Sequence, residues 1–376
     1  MRVFVSESLP ESLSLAGRQN LKAIEETLRK QWRLGQNIAL CWSFNSRGIL
    51  VLFVPHYFLG NYCAVGSVTE GQTLSDNEIF IRQLISGTRE YQRAEFFAIA
   101  ERLGVAPTFI RPDHPLQDEQ AFHFALDNLV QRYGLSFVER RAVLLFDIAG
   151  FSLYTPFEQA SQLNSLSYSM NSAYTKLQSV GIDVPFRRTT TGDGYYVWHR
   201  DQSEQASREL LYFLLLIVAD NAAARAAAQG NTVPRIRAAY HIGAHYELYQ
   251  AEGINPTVFS YIVGDATIEL ARMLDGAKPE QILIGEFSAL DKRGALGTQA
   301  FINKAMSGGT ALAGIKLAGQ EIQTLDFGLS SDSQGEVLRL TIQDKHGLEH
   351  YAYNLESVFA TEGQRHQLGL SMITAT

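Results

Sequence analysis

Ten consecutive apolar residues, Leu210 to Ala219, constrain this chain more than any other feature. They sit inside residues 203–228, which read as one long helix. A helix that is apolar on every side cannot lie on a wet surface. Ten residues is also about half of what a bilayer crossing needs. The run must therefore be covered on most sides by other apolar elements, or lie at a subunit interface. The composition can supply that cover: 46% of the 376 residues are apolar and 19% are charged, which excludes a disordered chain. On both sides of the helix stand short apolar segments of strand character. The fold class expected is α/β (α+β): a mixed sheet covered by helices.

Charge and cysteine content narrow the function class. With 39 acidic against 32 basic side chains the formal charge is −7, which disfavours non-specific nucleic-acid binding. Cys41 and Cys63 cannot make a disulfide framework, and a reducing compartment fits. The N-terminal Met-Arg-Val-Phe-Val-Ser-Glu carries an acid where a signal peptide wants an apolar core. These points give the expectation of a cytoplasmic protein with no membrane and no nucleic-acid partner.

Arg111-Pro112-Asp113-His114-Pro115 is the clearest punctuation. The domains expected are 1–115, a small α/β module; 116–138, a connecting helix; 139–360, a catalytic domain; and 361–376, a C-terminal tail. In the first module, residues 11–32 read as a helix and Asn37–Phe44 with Gly48–Val54 as a hairpin. Tyr62–Val68 reads as a third strand, and Ser75–Leu103 as one helix ended by Gly104. In 117–133 the residues Phe122, Leu126, Leu129, Val130 and Tyr133 share one helical face. Further on, strands are expected at Ala142–Phe146, Val184–Thr190, Tyr195–Trp198, Arg235–Ile242, Tyr246–Tyr249, Thr257–Val263 and Gln281–Ile284. A final hairpin is expected from Val337–Gln343 and Glu349–Asn354, and further helices at 157–181 and 266–274.

Two segments carry chemistry. In Leu144-Leu145-Phe146-Asp147-Ile148-Ala149-Gly150-Phe151-Ser152 a carboxylate ends a buried strand, at the rim of a sheet where ligand crevices form. The turn after it, Ala149 to Ser152, offers backbone N–H groups suited to a phosphate. In Thr190-Thr191-Gly192-Asp193-Gly194-Tyr195-Tyr196 a second carboxylate sits at a hairpin tip. If the strands are neighbours, Asp147 and Asp193 converge, and a divalent cation relieves their repulsion. Taken singly, each has a plainer reading: Asp-Gly is a common hairpin turn, and Asp147 is a fair helix cap. His241 and His245 lie four apart in a strand-like stretch, about 13 Å from each other, so they read as ordinary strand residues.

Residues 139–355 resemble the catalytic domain of class III nucleotide cyclases. The resemblance runs through four motifs in order. They are Asp147-Ile-Ala-Gly-Phe-Ser152; Thr190-Thr-Gly-Asp193; Ala239-Tyr-His-Ile-Gly243, which lacks the family's first glycine; and Ile262-Val-Gly-Asp-Ala-Thr-Ile-Glu-Leu-Ala-Arg-Met273. Pro279-Glu280-Gln281-Ile282 follows, as the family's Pro-Gly-x-Ile does. The resemblance implies a ferredoxin-like βαββαβ palm core with extra strands. It implies two Mg²⁺ or Mn²⁺ ions held by Asp147, Asp193 and the Ile148 carbonyl, and an NTP substrate cyclised with loss of pyrophosphate. Arg272 would stabilise the transferring α-phosphate, and Lys345 is similar to the family's triphosphate lysine. Ala149, Gly150, Phe151 and Ser152 would cradle phosphates. In this family one chain supplies the aspartates and another the arginine, so a homodimer is expected.

Departures from the family pattern concern the base. Where purine cyclases read the base, this chain has Thr189 and Tyr261; at the ribose-positioning asparagine stands Ile268. A phenol fills volume and offers an O–H, which favours a smaller pyrimidine base. In this the chain resembles the pyrimidine cyclases of bacterial anti-phage signalling, whose cyclic UMP or cyclic CMP feeds a downstream effector. Two alternatives stand beside that reading: an adenylate cyclase with an atypical pocket, and a degenerate domain that binds nucleotide or dimerises without turnover. A diguanylate synthase would need a Gly-Gly-acid-acid-Phe hairpin, which Thr191-Gly-Asp-Gly-Tyr does not supply.

Overall fold

The structure is a computed structural model and describes residues 13–69, 73–252, 255–291, 294–317, 319–344, 346–361 and 364–371. The chain divides into two compact units. One comprises Met1–Glu139 with Tyr246–Ile262; the other comprises Arg140–His245 with Val263–Thr376.

In the first unit, α1 (Leu15–Trp32) is started by Ser14, whose side chain accepts the Gly17 N–H. The expected hairpin is present as β1 (Asn37–Asn45) and β2 (Gly48–Pro55). Its third strand is not the segment expected. Residues Phe58–Ala64 form a helix, α2, in which Phe58 and Tyr62 stack at 5.9 Å one turn apart. The β-prone composition of Tyr62–Val68 yields there to helical i,i+4 packing. The expected single helix over 75–103 is two, α3 (Asp76–Leu84) and α4 (Arg93–Leu103). Gly87 turns left-handed between them, at φ 68°. The linking chain runs beside β1: the Trp42 N–H donates to the Arg89 carbonyl, and the Tyr91 N–H to the Trp42 carbonyl. The buried Arg89 guanidinium donates to the Leu40 and Leu135 carbonyls and to Ser136 Oγ. That demand for acceptors, invisible in a periodicity, explains the break. Then β3 (Thr108–Ile110) completes the small sheet on β2, and α5 (Gln120–Arg132) buries Phe122, Leu126, Leu129 and Val130 as expected.

The second unit is built on one large sheet. Its first elements are β4 (Leu135–Ile148), α6 (Pro156–Ser179), β5 (Phe186–Thr190), β6 (Gly194–His199), α7 (Glu204–Ala227) and β7 (Ile236–Glu252). The strand order β7-β4-β6-β5 is that of a βαββαβ ferredoxin-like core, as expected. Residues expected as two strands, 235–242 and 246–249, are one in β7. β8 (Asn255–Val263) pairs with β7 and leads into α8 (Asp265–Asp275). Beyond β7 the sheet continues through β9 (Ile282–Gly285), parallel to it.

Several elements were not foreseen. Two hairpins, β10 (Ser288–Asp291) with β11 (Gly294–Gly297) and β12 (Lys316–Leu317) with β13 (Gln320–Glu321), flank α9 (Thr298–Ser307). β14 (Thr324–Leu329) joins the main sheet. The final hairpin is β15 (Arg339–Gln343) with β16 (Glu349–Thr361), and β16 extends seven residues beyond the expected end at Asn354. β17 (Gln364–Leu368), in the expected tail, pairs with β16. The result is a mixed α+β fold with one ten-stranded sheet.

Ala142, Leu144, Phe146 and Ile148 of β4 point with Ala238, Tyr240 and Ile242 of β7 into the main core, against Leu166, Met170 and Ala173 of α6 and the 210–219 run of α7. Every residue of that run is buried. Burying each of its Leu, Ile and Phe side chains is worth about 1.5–3 kcal/mol relative to exposure. By length and apolarity α7 is the helix among the described residues that passes for a membrane span. Its apolar residues are instead spent on the sheet.

Candidate active site

Because strand side chains alternate, the residues of β4 between the core positions face the opposite side of the sheet. These are Val143, Leu145 and Asp147. β6 lies antiparallel to β4, with Leu145 opposite Tyr196 and Asp147 opposite Gly194. β5 continues the row, with Thr189 opposite Tyr196. Asp147, Tyr196 and Thr189 therefore share the face turned away from α6 and α7. On that face lies α8: the Tyr196 hydroxyl donates to the Thr267 carbonyl at 3.0 Å.

The hairpin tip brings Asp193 to Asp147. The Ile148 N–H donates to the Asp193 carbonyl at 3.0 Å, and the Thr191 N–H to the Gly194 carbonyl at 3.0 Å. Two glycines make this possible. Gly192 holds φ 104°, in the region where L side chains are strained. Gly194 passes so close to β4 that a Cβ would stand 1.8 Å from the Phe146 carbonyl oxygen. Asp193 comes close enough for its charge to act on the Asp147 carboxyl. Burial pushes the Asp147 carboxyl above its ordinary range, Arg237 pulls it down, and the neighbouring Asp193 pushes it up again.

Arg237 was not anticipated. From β7 its Nε donates to Asp147 Oδ2 at 2.5 Å and its Nη1 to the Ala277 carbonyl at 3.1 Å. It is a built-in counter-charge for the acidic pair. The faint signal was a second basic residue in Arg235-Ile-Arg237, on a strand whose apolar residues alternate with it.

After β4 the chain turns left-handed at Gly150 (φ 68°) into a short 3-10 turn, Phe151–Leu153. The Ala149 N–H is already taken by the Arg235 carbonyl at 2.8 Å, so Ala149 brings no backbone donor to a phosphate. Gly150, Phe151 and Ser152 lead the turn. Pro156 and the Thr155–Glu158 capping box then start α6.

Arg272 lies on α8 in a second cluster. Its ion pairs are with Asp344 (Nε to Oδ2, 3.5 Å) and Asp275 (Nη1 to Oδ2, 3.4 Å). Ile268 on the same helix is half exposed and has no polar side-chain atom, so it cannot hydrogen-bond a ribose. Thr189 and Tyr261 fall in different units. Lys345 lies outside the described residues. His241 and His245 alternate on β7 with the core residues Tyr240 and Ile242; burial pushes His241 down to about 4. Among the described residues no group of three or more His, Cys, Asp or Glu side chains is placed to hold a metal by itself.

No protein-family profile and no curated protein sequence matches the chain. Solved structures resemble it at low identity. The guanylate cyclase domain of RhGC from Catenaria anguillulae, in complex with GTP, is 15% identical, with a TM-score of 0.36 over 58% of this chain and 97% of that one. The adenylyl cyclase CyaB from P. aeruginosa is 12% identical, with a TM-score of 0.33 over 59% and 95%. An adenylate cyclase from Trypanosoma brucei is 10% identical, with a TM-score of 0.33 over 58% and 88%. Likeness of this size decides neither activity nor substrate, and the chemistry rests on the chain's own residues.

Proposed function

We propose that the second unit is a nucleotide cyclase: it closes a nucleoside triphosphate into a 3′,5′-cyclic monophosphate and releases pyrophosphate. The observation that carries this reading is the convergence of Asp147 and Asp193 beside the Gly150 turn. Motif order in 139–355 supports it independently.

The donor set fits a hard divalent cation. Asp147, Asp193 and the Ile148 carbonyl offer oxygen only, and Mg²⁺ favours one or two carboxylates completed by substrate phosphates. When bound, Mg²⁺ or Mn²⁺ supplies Lewis acidity toward the attacking hydroxyl and the leaving phosphates. The protein's own part is to aim. Gly192 and Gly194 hold Asp193 against Asp147, and the Gly150–Ser152 turn receives phosphate oxygens. Arg272, a planar and permanently charged fork, meets charge that develops on the α-phosphate. The 3′-oxygen forms its bond to the α-phosphorus as the bond to pyrophosphate breaks, and the hydroxyl proton passes to solvent water. Fixing these atoms in line contributes much of the rate.

The site is shared in this reading: a homodimer pairs the aspartates of one chain with Arg272 of the other. The substrate is a pyrimidine triphosphate, UTP or CTP. Thr189 stands on the face of the sheet that carries Asp147 and presents only a short hydroxyl, and Tyr261 replaces a purine-reading group. The product would serve a cyclic-nucleotide effector, as in anti-phage signalling. Incubating the protein with an equimolar mixture of four NTPs and Mn²⁺, and identifying products by mass spectrometry, tests both levels. Cyclic UMP or CMP supports the proposal, cyclic AMP returns the adenylate reading, and nucleotide binding without product returns the degenerate one.

A further inference from the structure

Arg272 does not stand alone on its helix. The loop between β15 and β16 places Asp344, whose side chain is 3% exposed, against the guanidinium. Asp344 is itself tightly fixed: Oδ1 accepts the N–H groups of His346 at 2.8 Å and Leu348 at 2.9 Å. Its other oxygen, Oδ2, faces Arg272 Nε at 3.5 Å and His350 Nε2 at 3.7 Å. The His350 ring is held from behind, with Nδ1 2.9 Å from Glu269 Oε2 on α8, three residues before Arg272. Arg272 Nε and His350 Nε2 are both sealed from solvent and make no hydrogen bond, so Asp344 Oδ2 meets them as a charge. A fixed carboxylate charge facing Nε favours one orientation of the planar fork.

We propose that Asp344, braced by His350 and Glu269, is a positioning residue that sets Arg272 for the transferring phosphate. The inference rests on the cyclase reading above. The backbone N–H groups of Leu348 and His346 together with Arg272 hold the Asp344 carboxyl below the usual carboxylate range, so the clamp carries its charge at neutral pH. Second-layer partners that orient a reactive group are worth about 10–100-fold in the metal sites where they are best measured. The same scale applies to the rate here.

The test uses the full chain and D344N, which keeps an acceptor for both backbone donors and loses the charge facing Nε. In steady state with Mn²⁺ and the preferred NTP, kcat should fall about 10–100-fold while KM stays within about threefold. Co-expressed mixtures then locate the defect. D344N paired with D147N should recover about a quarter of wild-type activity, because half the dimers hold one site with intact aspartates and an undisturbed Arg272. D344N paired with R272A should recover nothing above D344N alone. E269Q, which loosens the brace without touching Arg272, should show the same pattern with a smaller loss of kcat. This variant decides the matter if D344N fails to fold. Wild-type or raised kcat in D344N, or equal recovery from both mixtures, overturns the assignment. The pair R272A with D147N is the control: if wild type turns over and this pair recovers nothing, the shared site is wrong and the inference falls with it. A wild-type chain that cyclises no NTP removes the underlying reading instead.

Discussion

Replacing Gly194 by alanine should disable the site by moving it rather than by altering its chemistry. A Cβ at 194 would stand 1.8 Å from the Phe146 oxygen, where real Cβ contacts stay beyond 3.0 Å. β6 must therefore retreat from β4 by about 1.2 Å, the difference of those two distances. The bond from the Ile148 N–H to the Asp193 carbonyl, now 3.0 Å, would open to about 4.2 Å and be lost. Overpacking costs about 1–3 kcal/mol and the lost bond about 1 more, so G194A should lose about 2–4 kcal/mol of stability. A displacement near 1 Å costs about 100-fold in turnover. Gly192 is the comparison: it needs its positive φ of 104°, yet an added Cβ meets no atom within 4 Å. G192A should lose about 1–3 kcal/mol from strain and keep most of its turnover. Denaturant midpoints report the first quantity. Mn²⁺-dependent turnover and Mn²⁺ affinity by electron paramagnetic resonance, on chains shown to be folded, report the second. If folded G194A matches G192A in turnover and Mn²⁺ affinity, the contact between β4 and β6 does not place the acids, and the reasoning fails.

Other perturbations probe neighbouring features. Arg237 is the counter-charge of Asp147, so R237Q should lose about 1–2 kcal/mol after allowance for partial exposure. Mn²⁺ should then raise the melting temperature of R237Q more than that of wild type, since the cation replaces the missing charge; an equal rise refutes it. His241 is held neutral by burial down to about 4, against an ordinary 6.5. Between those values the unfolded chain binds a proton that the native chain does not, so stability is full above about pH 6.5 and is lost as the pH falls toward 4. The loss should reach about 3 kcal/mol. H241Q should lower stability at neutral pH yet flatten its slope across this window in chemical denaturation; an unchanged slope would contradict the assignment.

How far the sequence speaks depends on how local the determining physics is. A mixed sheet covered by helices was readable because apolar alternation and the 210–219 run act within single elements; its βαββαβ order was implied by the resemblance to the cyclases. That Asp147 and Asp193 would converge was readable from the motifs only on condition that their strands are neighbours; the close approach of Gly194 to Phe146 that makes them so was not. Elements decided by distant acceptors were not. The break at Gly87 depends on where Arg89 finds carbonyls, and β17 exists because β16 runs on past Asn354 and offers it an edge. Arg237 and Asp344 escaped for the same reason: each matters through a contact made across the sheet or across a loop, and neither belongs to a local pattern. The face carrying Thr189 was open to a one-residue slip, and only the register with Tyr196 fixes it.

The central claim is that two convergent carboxylates run a ring closure on a nucleoside triphosphate. A single-turnover reaction tests it, with enzyme in excess over α-³²P-labelled NTP and Mn²⁺, run on wild type, D147N and D193N. Wild type should convert the label to a cyclic monophosphate with one pyrophosphate per product, and either variant should fold yet leave the triphosphate intact. Cyclic product at undiminished rate in a folded D147N or D193N chain would show that the acidic pair is not the engine of this protein.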